Sequence, residues 1–325
     1  DPGMGDGVDE NVVEALRLLA AGRPGEAREV AGRAGGGRLR AALARYLDAR
    51  HDGRVYDDPA AFQEFIGGGG NRALYTVLVP RLTAAYREFR VVTVLDVGCG
   101  DGRAVLPAAA ALGTGAPALD LVEPSAALLR AACTTADELG LDVRAHGTTV
   151  QELLADGGGR WDLVQSTFAL HALEPARRSE VLRGLRDVAD ALLVADFDVP
   201  AFLAEADGGP EHLRYLAARY ELGVAEYEGD LVPDGFLMPV LVGQVEPGRV
   251  RSTWEEPASA WASRLAAAGW RNVRVEPLVG YWWAPAFVVT ATAGRTRRGS
   301  GRSGNGAGGP ADGAGGPADG GATPG

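Results

Sequence analysis

Lysine is absent from this 325-residue chain, cysteine occurs twice, and no apolar run approaches the roughly 20 residues that a membrane span requires. The two cysteines, Cys99 and Cys133, exclude a disulfide framework. Neither stands in a Cys-x-x-Cys or Cys/His spacing, so no structural metal is expected. The N-terminus also lacks the basic-then-apolar layout of a secretion signal, which makes the cytoplasm the expected compartment. All 32 basic residues are arginine, and with heavy use of Ala, Gly and Pro this points to a GC-rich genome before it points to function. The 43 acids outnumber them and leave a formal charge of -11. Such a balance argues against nucleic acid as a partner, because affinity there comes from neutralising phosphates. Membrane association is likewise not expected. What remains, 46% hydrophobic and 23% charged, is the composition of an ordinary globular chain long enough for one large domain or two small ones.

Organisation changes along the chain. Residues 1–8 read as loose. Residues 9–90 read as helical: Val12, Val13, Leu16, Leu19 and Ala20 recur at helical spacing, Pro24 can open a second helix, and Leu39, Leu43, Tyr46 and Leu47 form one stripe. Asp58 before Pro59 predicts an N-cap, and Gly67 to Gly70 break the chain before Asn71, which can cap a longer helix that Pro80 should kink. This helical preface is expected to act as a cap on the core or as a dimer surface. From residue 91 the short runs VVTVLDVG, ALDLVEP, LDVRAHG, WDLVQSTF and ALLVADFD alternate with helical stretches. Alternation of this kind predicts an α/β fold, a doubly wound parallel sheet with helices on both faces, whose ligands bind at the carboxyl ends of the strands. Regularity lapses over residues 201–257, an insertion long enough to form a lid. It returns as a helix around PASAWASRLAAAGW, a strand NVRVEPLVG and a last strand AFVVTATA, and the folded domain is expected to span 91–293. The remainder, 294–325, repeats GAGGPADG almost without apolar side chains and reads as disordered.

The stretch VLDVGCGDGRAV carries the chemistry. Gly98, Gly100 and Gly102 follow the first inner strand at alternate positions, where missing side chains allow a tight turn and close approach of a ligand to the next helix N-terminus. Glu123 ends the second strand about 21 residues later, the place where an acid accepts hydrogen bonds from ribose hydroxyls. A dinucleotide site would be spaced G-x-G-x-x-G. Here Asp96 precedes a G-x-G-x-G run, and an acid there suits an ammonium better than a phosphate. An amino acid joined to adenosine has that ammonium, a carboxylate and a ribose.

On these residues the chain resembles the class I S-adenosylmethionine-dependent methyltransferases: VLDVGCGDG looks like their first motif, LVEP like the acidic second, and WDLVQSTFALHAL like their fourth-strand segment. The resemblance covers about 91–293 and implies a Rossmann-like, seven-stranded, mostly parallel sheet with a reversed last strand, which the YWWAP hairpin fits. S-adenosylmethionine is the implied cofactor. Asp96, Gly98 and Gly100 would line its methionine part and Glu123 would hold the ribose. Cys99 and Gly102 of the same turn, and Ser166 and Thr167 at the end of the fourth strand, are counted with them. Relatives often place an acid after the third strand for the adenine amine; this chain has HGTTVQE, so Thr149 or Gln151 would substitute. The preface and insertion resemble, more loosely, small-molecule enzymes of actinobacterial specialised metabolism, including antibiotic biosynthesis.

Methyl transfer from a sulfonium is an in-line displacement in which positioning and water exclusion dominate, so no nucleophilic side chain is required. A base helps when the acceptor is a hydroxyl or an ammonium, and His171, a few residues beyond the fourth strand, is the candidate; a packed, locally hydrogen-bonded histidine is the alternative. Asp196 and Asp198 end the fifth strand, and Asp198 is taken as the acid that could orient a polar acceptor. Tyr281, Trp282 and Trp283 would wall a small-molecule acceptor pocket if the sixth strand runs parallel to the others, or else pack in the core. Tyr220, Tyr227 and Phe236 in the insertion, with Glu221 and Glu228, would form an aromatic and acidic lid, and Tyr56 would close over the cofactor. Two other functions fit the same cofactor: a peptide or protein methyltransferase, and a non-catalytic binder of S-adenosylmethionine.

Overall fold

The strand and helix alternation is realised as one seven-stranded sheet of order β3-β2-β1-β4-β5-β7-β6 in a computed structural model that describes residues 7–49, 58–205, 209–249 and 251–294. Its strands are β1 (Thr93–Val97), β2 (Ala118–Val122), β3 (Val143–His146), β4 (Trp161–Thr167), β5 (Ala189–Phe197), β6 (Arg271–Val279) and β7 (Ala286–Thr292). The first five pair in parallel, while β7 runs antiparallel between β5 and β6. Winding reverses between β1 and β4, which opens a crevice at the carboxyl ends of these two strands. Because β7 is reversed, β6 points the same way as β5, and the turn after it opens on that same side.

Five helices precede the sheet: α1 (Glu10–Ala20), α2 (Pro24–Ala31), α3 (Arg38–Asp48), α4 (Pro59–Gly67) and α5 (Gly69–Glu88). Between the strands lie α6 (Val105–Ala110), α7 (Ala126–Leu139), α8 (Val150–Ala155) and α9 (Pro175–Val188). After β5 come α10 (Ala201–Glu205), α11 (Pro210–Ala225), α12 (Met238–Val245) and α13 (Ala258–Ala267). One face of the sheet is covered by α5, α6 and α7 and the other by α8, α9 and α13, with adjacent strand residues such as Leu192 and Leu193 divided between the two cores.

A third apolar core lies above the carboxyl ends of the strands. In it Leu16 and Leu19 of α1 and Leu39 and Leu43 of α3 pack with Leu216 of α11 and Leu241 of α12. Thus the preface and the insertion are one helical cap rather than two devices, and the apolar stripes of α1 and α3 are covered within the same chain. Helix α5 differs from its neighbours because it lies on the sheet. Asp58 caps α4 by accepting from the amides of Ala60 and Ala61, as its place before Pro59 predicts. Asn71, expected as a cap, instead stands inside α5, and its amide donates to the Phe65 carbonyl and the Tyr227 hydroxyl. Pro80 sits within α5 without ending it. Tyr56 and residues 295–325 lie outside the described residues. Among the described residues no helix is long and apolar enough to cross a membrane.

The cap is held by burial more than by charge. Leu43 is fully buried, whereas the Arg45 pairs with Asp230 and Asp234, both 2.8 Å, are partly exposed. Leu43→Ala should therefore cost about 2–5 kcal/mol. Arg45→Ala should cost less than about 1 kcal/mol in the same denaturant titration.

Candidate active site

At the end of β1 the chain bends through Gly98, Gly100 and Gly102, all at positive φ (70°, 57° and 77°), and the bend is fixed because the amides of Gly98 and Cys99 both donate to the Val122 carbonyl of β2. The glycines serve different ends. A Cβ on Gly98 would lie 2.4 Å from the Ala169 Cβ in the turn after β4, so Gly98 lets two strand ends approach. A Cβ on Gly102 would meet Leu106 at 2.5 Å, a packing role. A Cβ on Gly100 would meet nothing within 4 Å, so that face of the bend is open.

Asp96 lies under the bend, almost wholly buried, beside Gln165 of β4 with which it is in register. The Tyr86 hydroxyl donates to Gln165 Oε1 (2.6 Å), which turns the Gln165 amide nitrogen toward Asp96 Oδ1 (3.2 Å). Asp96 Oδ2 has no partner among the described residues. Burial pushes its carboxyl up to about 7, a rise that the Gln165 hydrogen bond opposes and the charge of Glu123 reinforces. One strand over, Glu123 accepts from the Gly100 amide (3.1 Å) and the Ser125 amide (2.9 Å), which spans the mouth of the bend.

The turn after β4 forms the other wall. Phe168 is held at φ 54°, a conformation few non-glycine residues adopt, and stacks on Phe197 at 4.7 Å. Phe197 in turn stacks on Tyr281 at 5.0 Å, and Tyr75 meets Phe168 edge-on. His171 follows, with Nδ1 2.8 Å from Oδ1 of the fully buried Asp196. Its Nε2 has no partner among the described residues. Burial alone would lower the His171 imidazole, but the adjacent Asp196 carboxylate outweighs it and the net shift is upward. Asp196 Oδ1 also accepts from the Phe197 amide, and Oδ2 has no partner among the described residues.

Arg178 of α9 holds this turn. Wholly buried, it donates to the carbonyls of Leu170, His171, Leu173 and Trp254 and pairs with Glu256, while its guanidinium lies 4.9 Å from the Trp261 ring centre. The Trp254 amide returns a bond to the His171 carbonyl at 2.7 Å.

Several residues singled out in the sequence are turned elsewhere. Asp198 accepts from the Ala258 amide and caps α13, so of the two acids it is Asp196 that meets His171. Ser166 Oγ donates to the Val97 carbonyl and is fully buried, and the Cys99 thiol is buried and driven upward by that burial. The Thr149 hydroxyl belongs to a capping box with Glu152, and Gln151 is exposed on α8. Thr167 is half-buried at the end of β4. Tyr220 and Phe236 lie in the cap core, with the Tyr220 hydroxyl accepting from Gln244. Tyr227 is also buried in that core, and its hydroxyl bonds Phe65 and Asn71. Trp282 and Trp283 pack edge-on against Tyr220, and the expectation of a tryptophan pocket wall gives way to the core packing. Tyr281 alone of that trio faces the crevice, with its hydroxyl donating to Asn71 Oδ1. Phe168 and Phe197 are residues that sequence reasoning left out of the site, while Asp196 was named only as the neighbour of Asp198. Their only signal was position at a strand end.

Residues 94–190 match the family described as a methyltransferase domain. Ubiquinone biosynthesis O-methyltransferase of Caulobacter vibrioides is 37% identical over 93 residues, 28% of this chain and 35% of the relative. The chain thus spans about a third of the curated relative it matches. Among solved structures, magnesium protoporphyrin IX methyltransferase of Synechocystis PCC 6803 with bound SAH is 15% identical at a TM-score of 0.46, covering 78% of this chain and 94% of that one. The methyltransferase SibL is 21% identical at 0.49, covering 78% and 69%. Over residues 94–190 the chain carries a methyltransferase domain similar to those of the class I S-adenosylmethionine-dependent enzymes, and S-adenosylmethionine is the cofactor that this domain implies. The bend fits that group, since Asp96 Oδ2 lacks the donor an ammonium would supply and Gly100 leaves its face open.

The two glycines should respond differently to a methyl group. Gly100→Ala should cost about 1–2 kcal/mol of stability, from backbone strain alone, yet weaken S-adenosylhomocysteine binding at least tenfold. Gly98→Ala should destabilise more, because it adds the collision with Ala169. Thermal unfolding beside binding calorimetry reads both.

Proposed function

We propose that this chain transfers a methyl group from S-adenosylmethionine to an oxygen or nitrogen atom of a small-molecule acceptor, in natural-product biosynthesis, with His171 as general base. The observation that carries the base assignment is the His171–Asp196 pair at 2.8 Å, two residues beyond the Ala169 that packs on the glycine bend. Support for a small acceptor comes from the name of the Caulobacter relative over the matched 93 residues, and support for the pathway class from the resemblance of preface and insertion noted in the sequence.

When bound, the cofactor supplies a methyl group already activated on a sulfonium. Asp96 would hold its ammonium, the Gly98 and Gly100 backbone would admit its methionyl chain, and Glu123 would hold the ribose. Asp196 accepts the Nδ1 proton of His171, which leaves Nε2 as the basic nitrogen facing the crevice. In the reaction the acceptor's proton passes to Nε2 and the resulting imidazolium is stabilised by Asp196. Phe168, Phe197 and Tyr281 form an apolar wall that positions the acceptor and excludes water, and the cap closes the crevice from above.

His171→Ala should lower kcat by about 10²–10⁴-fold while S-adenosylhomocysteine affinity changes less than about threefold. An unchanged kcat on a methylated acceptor would remove the base. The pH dependence has a definite sign: neutral His171 is the competent form, so kcat/KM should rise with pH through a midpoint above the ordinary 6.5. Asp196→Asn should move that midpoint down, since it removes the carboxylate that raises it.

A further inference from the structure

A seven-residue strap, residues 251–257, leads into α13 without regular structure. It is pinned at each step. The Trp254 amide donates to the His171 carbonyl, the Trp254 carbonyl accepts from Arg178, Glu256 pairs with both Arg178 and Arg264, and the Ala258 amide donates to Asp198. Pinned this way, the strap holds Glu255 next to the residue bonded to the His171 backbone. Glu255 is half-buried, yet among the described residues it makes no hydrogen bond and no ion pair. Its charge adds to the upward shifts of His171, Tyr215 and Tyr220 and opposes the burial that lowers Arg251. Arg251 does not satisfy it: Arg251 Nε donates to the Thr253 carbonyl and its guanidinium lies 5.8 Å from the Trp254 ring centre.

Around His171 there are therefore two carboxylates with unused acceptor capacity, Glu255 on the strap and the fully buried Oδ2 of Asp196, and the apolar stack of Phe168, Phe197 and Tyr281 lies at the same strand ends. Partly desolvated carboxylates without donors are costly. We infer that Glu255 is the specificity-determining anchor of the acceptor subsite, and that it selects acceptors carrying a protonated amine beside an aromatic or apolar body. The inference rests on the methyl-transfer reading of the crevice and adds to it the charge of the acceptor. A cation held there would offset both carboxylates, whereas an anionic acceptor would meet them without compensation.

Three probes of one shape and different charge test it: tyramine, 4-ethylphenol and 3-(4-hydroxyphenyl)propionate, titrated by calorimetry into the full chain saturated with S-adenosylhomocysteine. The expected order is tyramine tightest, by at least about tenfold over 4-ethylphenol, with the propionate weakest. Glu255→Gln should remove the preference for the amine and leave S-adenosylhomocysteine affinity and the unfolding temperature unchanged. Glu255→Arg should invert the order of tyramine and the propionate. Equal affinities in the unaltered chain, or a tyramine preference that persists in both variants, would overturn the inference. Failure of S-adenosylhomocysteine to bind would instead sink the methyl-transfer reading on which it rests.

Discussion

Beneath the glycine bend one carboxylate oxygen, Asp96 Oδ2, is buried without a partner among the described residues, and the surrounding structure is arranged about it. Burying a carboxylate is unfavourable unless it is paired. Here only Oδ1 is bonded, through a chain from Tyr86 to Gln165 that needs α5 on the sheet and β1 in register with β4. The register of two strands and the placement of a helix thus converge on holding one acid in a half-satisfied state beneath an open bend. Its raised pKa is the free protein's response to that state, and a cation in the bend would reverse it.

The acceptor half obeys a similar constraint carried by a cation. Arg178, buried with five hydrogen-bond partners, ties the turn after β4 to the strap before α13 and so sets where His171 stands. Asp196 then sets which nitrogen of His171 is free. The cap contributes differently: its core of leucines and aromatics supplies rigidity, and Tyr281, packed against that core, is fixed by its hydrogen bond to Asn71.

What was legible in the sequence was local. The alternation of strands and helices, the Asp58 cap and the glycine bend each depend on residues within a few positions of one another, and the sheet appears as that pattern and the family resemblance imply. What depends on tertiary partners was not legible. Asp196 and Asp198 are the same residue type two positions apart at one strand end, and only the separate approach of His171 and α13 assigns them different tasks. Trp282 and Trp283 suit a pocket wall or a core equally well by composition, and the packing of α11 against them decides for the core. Phe168 and Phe197 read as ordinary strand ends until the left-handed turn at Phe168 stacks them. Glu255 carries no motif and becomes informative only through the bonds that its neighbours make and it does not.

The central claim is that Asp96 receives the ammonium of the cofactor, and the most direct test is the pH dependence of S-adenosylhomocysteine binding by calorimetry, with Asp96→Asn beside the unaltered chain. Ammonium binding requires the ionised carboxylate, so the affinity should climb with pH up to about 7 and level off above it, falling about tenfold per pH unit on the acid side. The Asn variant should bind more weakly and without that slope. A flat profile in the unaltered chain, or equal affinities for the two proteins at pH 8, would contradict the account.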